Sequence, residues 1–304
     1  MITPERAVDA MHEVFGRHPG YRALHAKGTL CRGRFTPTAE AARLTRAAHM
    51  QGQPVDVTVR LSNGSGDPGS PDYEADVRGL ATTFHLPDGS RTDIVAQTSP
   101  HFPVRTPEDF VELVHASQPG LARVWRFPIF LARHPRVLSG LRLASTGVIT
   151  PPSYASCHYY AIHAYRWIDA AGDGCYVRYR WLPVASEAAI SRREARGRGP
   201  DYLQQEIRER IARGPAEFTL ELQLASERDS VDDPTAAWPD ERETVTAGVL
   251  QVTGVANGGE DDGERTLVFD PARMTEGIEL SDDQILRFRP RAYSVSAERR
   301  ASGG

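Results

Sequence analysis

Arg289 and Tyr293 stand four residues apart in "ILRFRPRAYSVSAERR" (285–300). On a helix that spacing places both side chains on one face, where they can meet. A guanidinium beside a phenol favours the phenolate through Coulomb attraction and hydrogen bonding. A phenolate is a hard oxygen ligand, and tyrosinate is one of the protein ligands that hold haem iron. The same stretch carries Arg287, Arg291, Arg299 and Arg300 with only Glu298 to relieve them. A surface helix usually intersperses acids at four-residue spacing. A single Arg-x-x-x-Tyr is still an ordinary pair on an amphipathic helix, so the motif needs company before it carries an assignment.

The elements that must position such a pair follow from pattern. "SDDQILRFR" starts a helix, with Ser281 as N-cap and two aspartates against the helix dipole. Pro290 removes one backbone hydrogen bond inside it, so a kink or break before Tyr293 is expected. Strands dominate the middle of the chain. "VDVTVRLS" (55–62) alternates apolar and polar residues, while "GLATTFHL" (79–86) and "TDIVAQT" (92–98) flank the turn "PDGS" as a hairpin. Further strands are expected at 158–168, 174–184, 217–225, 244–255 and 265–270. "TPEDFVELVHAS" reads as a helix with Thr106 as N-cap and Pro107 in the first turn. "DYLQQEIRERIARGP" is a second helix, ending at Gly-Pro. The basic "RREARGRG" (192–199) reads as a surface loop, and the acidic "GGEDDGE" (258–264) as a hairpin tip. Strands punctuated by turns, with helices between them, suggest an antiparallel sheet or barrel of the α+β class.

Composition narrows the function classes. The chain has 304 residues, 40% apolar and 25% charged, as in an ordinary globular protein. A formal charge of −4 argues against nucleic acid as a partner, since phosphate binding needs a basic surface. No apolar run is long enough to span a bilayer, so no membrane insertion is expected. The N-terminus mixes charges throughout and lacks the apolar core of a secretory signal. Cys31, Cys157 and Cys175 are widely spaced and odd in number, which suits a reducing cytoplasm rather than a disulfide or zinc framework. Without a linker-like stretch or an internal repeat, one domain over 1–304 is expected.

Several further segments, in order along the chain, resemble those of haem catalases. "RALHAKG" (22–28) is similar to the segment with the distal histidine. "VRLSNGSGDPGSPDYEADVRGLATTFHLPDG" (59–89) and "DIVAQTSPHFPVRTPEDF" (93–110) resemble the two segments that follow it. "DDPTAAWP" (232–239) and 269–300 match the later ones, ending at the proximal tyrosine. The resemblance covers nearly the whole chain and is closest to the short catalase-related peroxidases. It implies a catalase-like antiparallel β-barrel with surrounding helices and haem buried against the barrel. It also implies absence of the C-terminal helical domain of large catalases, because the chain stops soon after Tyr293.

Residue by residue, the resemblance implies haem b with Tyr293 as the axial ligand and Arg289 holding it as tyrosinate. His25 corresponds to the distal acid/base, and Ser62 to the serine that orients it. Arg22, Arg60 and Arg300 correspond to arginines that bind the propionates. Phe110 corresponds to the ring stacked on the porphyrin, Phe102 to a second distal phenylalanine, and His163 to a histidine of the strand lining the pocket.

Two departures from the catalase pattern bear on activity. Gln97 stands where catalases have asparagine, one methylene further out, which weakens peroxide positioning. Gly64 stands where they narrow the channel with valine, beside a retained Asp76, which suggests a wider route to haem. The expectation is therefore a peroxidase that uses hydrogen peroxide to oxidise a small organic donor, with weak catalase activity. One alternative is a haem enzyme that rearranges an organic hydroperoxide or transfers oxygen from it, as in catalase-like allene oxide synthases. Another is a non-catalytic barrel that binds haem or another ligand. A monomer or a homodimer is compatible with each.

Overall fold

The computed structural model describes residues 2–118, 120–121, 123–135, 137–256 and 267–302. Among these, nine strands form one antiparallel sheet. They are β1 (Gly28–Pro37), β2 (Val55–Asn63), β3 (Arg78–His85), β4 (Arg91–Gln97), β5 (Tyr159–Ile168), β6 (Gly174–Pro183), β7 (Ala216–Leu224), β8 (Thr244–Val255) and β9 (Ile278–Leu280). Their order is β4-β3-β2-β1-β8-β7-β6-β5-β9, and pairing of Gln97 with Tyr160 joins β4 to β5. Eight strands thus close into a barrel, with β9 added beside β5. Closure satisfies the backbone groups that an open sheet would expose at its edges.

The barrel interior is filled by the alternating residues of these strands. Val57, Val59 and Leu61 of β2 point inward with Leu80 and Phe84 of β3 and Trp181 of β6. At its centre Phe35 meets Phe84 and Trp181 edge-on, with centroids 5.2 and 6.0 Å away. Gly248 makes room for this ring, because a Cβ there would lie 2.3 Å from Phe35 Cζ. β1 escapes the strand pattern because Gly28, Gly33 and four polar residues dilute it. Its register against β8 shifts at Arg32/Gly33, and a Cβ on Gly33 would lie 2.3 Å from the Gln251 carbonyl oxygen.

Helices pack outside the barrel: α1 (Pro4–Phe15), α2 (Ala39–Leu44), α3 (Pro107–Ser117), α4 (Arg123–Arg133), α5 (Val137–Ser145), α6 (Arg192–Arg198), α7 (Tyr202–Arg213) and α8 (Gln284–Ser302). The segment 192–199 is therefore helical rather than a loop. Ser191 caps it, and Glu194 pairs with Arg198 at 2.8 Å. Residues 258–264, and the first two of 265–270, lie outside the described residues, and 267–270 form no strand. The cap of α8 is also not Ser281. Asp283 Oδ1 accepts from the backbone N–H groups of Ile285 (2.8 Å) and Leu286 (3.2 Å).

Pro290 does not break α8, which runs on through Tyr293. Residues on both sides of the proline, Phe288 before it and Ala292 and Val295 after it, pack on Val8 and Met11 of α1. That contact holds the two halves of the helix in line. None of the described helices is long and apolar enough to cross a membrane.

Phe35→Ala should cost about 3–5 kcal/mol of stability, as for other fully buried phenylalanines. Urea titration followed by far-UV circular dichroism measures it. A loss below about 1 kcal/mol would show that Phe35 is not the keystone of the barrel interior.

Candidate active site

Between the barrel and the helices lies a cavity walled by β2, β3, β4 and β5 on one side and by α1 and α8 on the other. Phe102, α3 and the stretch Leu267–Phe269 complete the wall. Arg289 and Tyr293 reach it from α8, and His25 and Ser62 from the barrel side.

On α8 the four-residue spacing delivers the expected contact. Arg289 Nε donates to Tyr293 Oη at 3.0 Å, and Arg289 Nη2 donates to the same oxygen. The third arm of the fork, Nη1, lies 2.8 Å from His163 Nε2. Arginine can only donate, so His163 Nε2 accepts and its proton sits on Nδ1. That Nδ1–H donates to Asp283 Oδ2 at 2.6 Å. Burial keeps His163 below the ordinary histidine pKa even though the Asp283 charge works the other way. Burial also opposes the charge of Arg289. The Tyr293 oxygen nevertheless holds the arginine above its usual pKa, with help from Tyr165 and Asp283.

His163 does not itself line the cavity; it stands behind Arg289 and fixes the fork. Asp283 escaped sequence reasoning as a site residue, although its place at a helix start beside the Arg-Tyr pair was the available signal. One carboxylate thus caps α8 and orients the histidine behind Arg289.

On the barrel side His25 Nδ1 lies 3.0 Å from Ser62 Oγ. His25 is the one non-glycine residue with positive φ (55°) among the described residues. For a residue with a Cβ that conformation costs energy and must be held by its surroundings. Its N–H donates to the Gly64 carbonyl at 3.1 Å, and Arg60 Nη1 donates to its carbonyl at 2.8 Å. Desolvation, reinforced by the charges of Arg60, Arg289 and Arg22, lowers the His25 pKa to about 3. The imidazole is therefore neutral at physiological pH. Gly79 lies under the pair, where a Cβ would stand 2.7 Å from Ser62 Oγ and 2.9 Å from His25 Nδ1.

The other expected residues are distributed as follows. Phe102 and Phe110 both line the cavity, with ring centroids 5.3 Å apart. Gln97 lines it from the end of β4, where the barrel closes. Arg22 and Arg300 donate to the same carbonyl, that of Leu267, at 2.9 and 3.1 Å. Gly64 stands beside Asp76 as expected: a Cβ there would lie 2.8 Å from Asp76 Oδ1 and 2.9 Å from the Val77 carbonyl oxygen. Asp76 is a support for this turn, accepting from the N–H groups of Ser65 and Val77.

The lining is mainly apolar. Among the described residues it holds Arg22, Arg60, Arg289 and Arg300 and no carboxylate. Such a wall suits a flat apolar group that carries anionic substituents, and the phenol oxygen of Tyr293 offers it a hard ligand atom.

A closed antiparallel barrel with this cavity against its outer wall places the protein among catalase-type proteins. A fungal catalase structure matches 96% of the chain with a TM-score of 0.82 at 24% identity. Catalase A from Saccharomyces cerevisiae matches the same share with the same TM-score at 26%. The chain spans 61% and 64% of those two structures. The family model described as Catalase matches residues 9–303, and the chain belongs to the catalase family. Membership implies a haem cofactor. A catalase-related peroxidase of Mycolicibacterium paratuberculosis is 44% identical over 98% of this chain and 95% of its own length. One from Synechococcus elongatus is 30% identical over 99% of this chain and 90% of its own.

Asp283→Ala removes a helix cap and leaves the His163 Nδ1–H without its acceptor. The expected cost is about 2–4 kcal/mol, roughly 1 for the cap and 1–3 for the buried donor. Asp283→Asn keeps the cap and should recover about 1 kcal/mol in the same denaturant titration. If the alanine variant lost less than that, Asp283 would not be the anchor of this arrangement.

Proposed function

We propose that this protein is a haem-dependent peroxidase that uses hydrogen peroxide to oxidise a small organic donor, with weak catalase activity. The observation that carries the reading is one cavity lined both by a neutral histidine with a serine partner and by a tyrosine doubly bonded to a buried arginine. The names of the two catalase-related peroxidases similar to it support the same reading. In this proposal Tyr293 Oη would supply the oxygen that holds the iron of haem b, and Arg22, Arg60 and Arg300 would hold its propionates. Phe110 would stack on the porphyrin, with Phe102 beside it. When bound, haem supplies the redox-active iron that allows the O–O bond to be cleaved.

The residues of the chain supply the proton chemistry and the electrostatics. With its proton on Nδ1, donated to Ser62 Oγ, His25 keeps a lone pair on Nε2. That nitrogen takes the proton from the peroxide O–H and returns it to the oxygen that leaves as water. One positioned acid/base of this kind contributes roughly a hundred- to ten-thousand-fold. Arg289 keeps two charged donors on the Tyr293 oxygen, which favours its anionic form as a ligand. Gln97 presents its amide one methylene deeper into the cavity than an asparagine would, which weakens positioning for the second peroxide of a catalase cycle.

His25→Ala should bind haem yet react with hydrogen peroxide at least ~100-fold more slowly in stopped-flow mixing. An unchanged rate would remove His25 from the mechanism. Mixing the unmutated protein with a fatty-acid hydroperoxide instead separates peroxidase from hydroperoxide-rearranging chemistry.

Because the folded pKa of His25 is about 3, the peroxide reaction should show no limb near 6.5, the ordinary histidine value. Between these two values the unfolded chain binds the proton and the folded chain does not, so stability falls as pH falls across that window. A pH–rate profile with an inflection near 6.5 would contradict a desolvated neutral His25.

Gln97→Asn should raise oxygen evolution from hydrogen peroxide several-fold, the worth of about 1 kcal/mol of repositioned hydrogen bond. A fall in the oxygen-electrode assay would refute this account of the weak catalase activity.

A further inference from the structure

Nine large apolar side chains are exposed among the described residues, and seven of them fall within 121–148, helices α4 and α5 and their flanks. α4 already buries one apolar face, where Phe127, Phe130 and Leu131 pack with Val104, Leu113 and Val137. Leu121, Val124, Trp125 and Ile129 recur at the helical spacing i, i+3, i+4, i+8 and make a second stripe that faces water. They are 93%, 77%, 56% and 43% exposed. A helix with one face in the core is ordinarily polar on the rest of its surface.

Charge accompanies this stripe. Between Glu112 and Asp169 the sequence has six arginines and no acidic residue, in a chain of net charge −4. Arg126 and Arg133 lie between the two faces of α4, with Arg126 over the Trp125 ring at 5.3 Å, and the exposed Arg123 reaches over the Phe127 ring. The nearest acids in sequence, Asp109 and Glu112 on α3, face His134.

A second copy of this chain is a poor occupant, because a two-fold contact would bring the same arginines face to face. An anionic lipid surface matches both features at once. Exposed tryptophan and aliphatic side chains partition into the interface, while arginines meet lipid phosphates.

We propose that the α4–α5 segment docks this protein onto anionic bilayer surfaces, with Leu121, Val124, Trp125 and Ile129 seated at the headgroup–acyl boundary. The contact lies in the plane of the interface. It goes beyond the sequence expectation of no membrane insertion without requiring a spanning helix. The inner face of the same segment packs with Phe102 and Phe110, so the docking surface and the active-site cavity share one wall. The proposal stands apart from the activity and is tested without it.

The test is flotation of the purified full chain with vesicles of phosphatidylcholine alone and with vesicles that also contain phosphatidylglycerol, at low and high salt. The chain should bind only the anionic vesicles, and binding should weaken as salt rises. The double variants V124S/W125S and R126E/R133E should each lose at least ~10-fold in partitioning while keeping the visible spectrum of the unmutated protein. Leu121→Ser, at a nearly fully exposed site, guards against misfolding and should weaken binding on its own. Failure of the unmutated chain to bind anionic vesicles would overturn the proposal, as would binding that ignores all three variants. So would a dimer that V124S/W125S dissociates in the absence of any vesicle binding, since the face would then be a contact between copies.

Discussion

A buried guanidinium needs acceptors, and three N–H donors of Arg289 find them in two side chains among the described residues. His163, locked neutral with its proton on the Asp283 side, takes one arm. The Tyr293 oxygen takes the other two donors. The positive charge is thus directed onto a single phenol oxygen at the cavity wall. Helix α8, its cap at Asp283, the barrel strand that carries His163 and the packing of α1 on α8 are all arranged around that placement.

The opposite requirement governs the barrel side. His25 must stay uncharged among Arg22, Arg60 and Arg289, and burial with those charges achieves it. Its left-handed backbone is held by Arg60 and the Gly64 carbonyl, and its ring by Ser62 above the bare backbone of Gly79. One cavity therefore contains an uncharged imidazole and a phenol oxygen bonded to a buried guanidinium.

Much of the barrel was legible because alternating apolar residues and the "PDGS" turn are local signals. β1 was not, since its glycines serve a bulge against β8 that only the partner strand reveals. Arg289–Tyr293 was legible because helical spacing is local. Pairing of His25 with Ser62 joins residues 37 apart and was accessible only through resemblance to haem catalases. Asp283 was passed over because Ser281 also reads as a cap, and the choice between them depends on His163, 120 residues away. Pro290 misled for a similar reason: its local cost is outweighed by packing of both helix halves on α1.

The central claim is that the Arg289 fork makes Tyr293 an anionic oxygen ligand for haem. Visible absorption and electron paramagnetic resonance of the haem-loaded protein, compared with Tyr293→Phe, test it most directly. The account predicts a five-coordinate high-spin ferric tyrosinate signature that the phenylalanine variant loses, together with most of its haem. A variant that kept the full signature would contradict the assignment of the ligand.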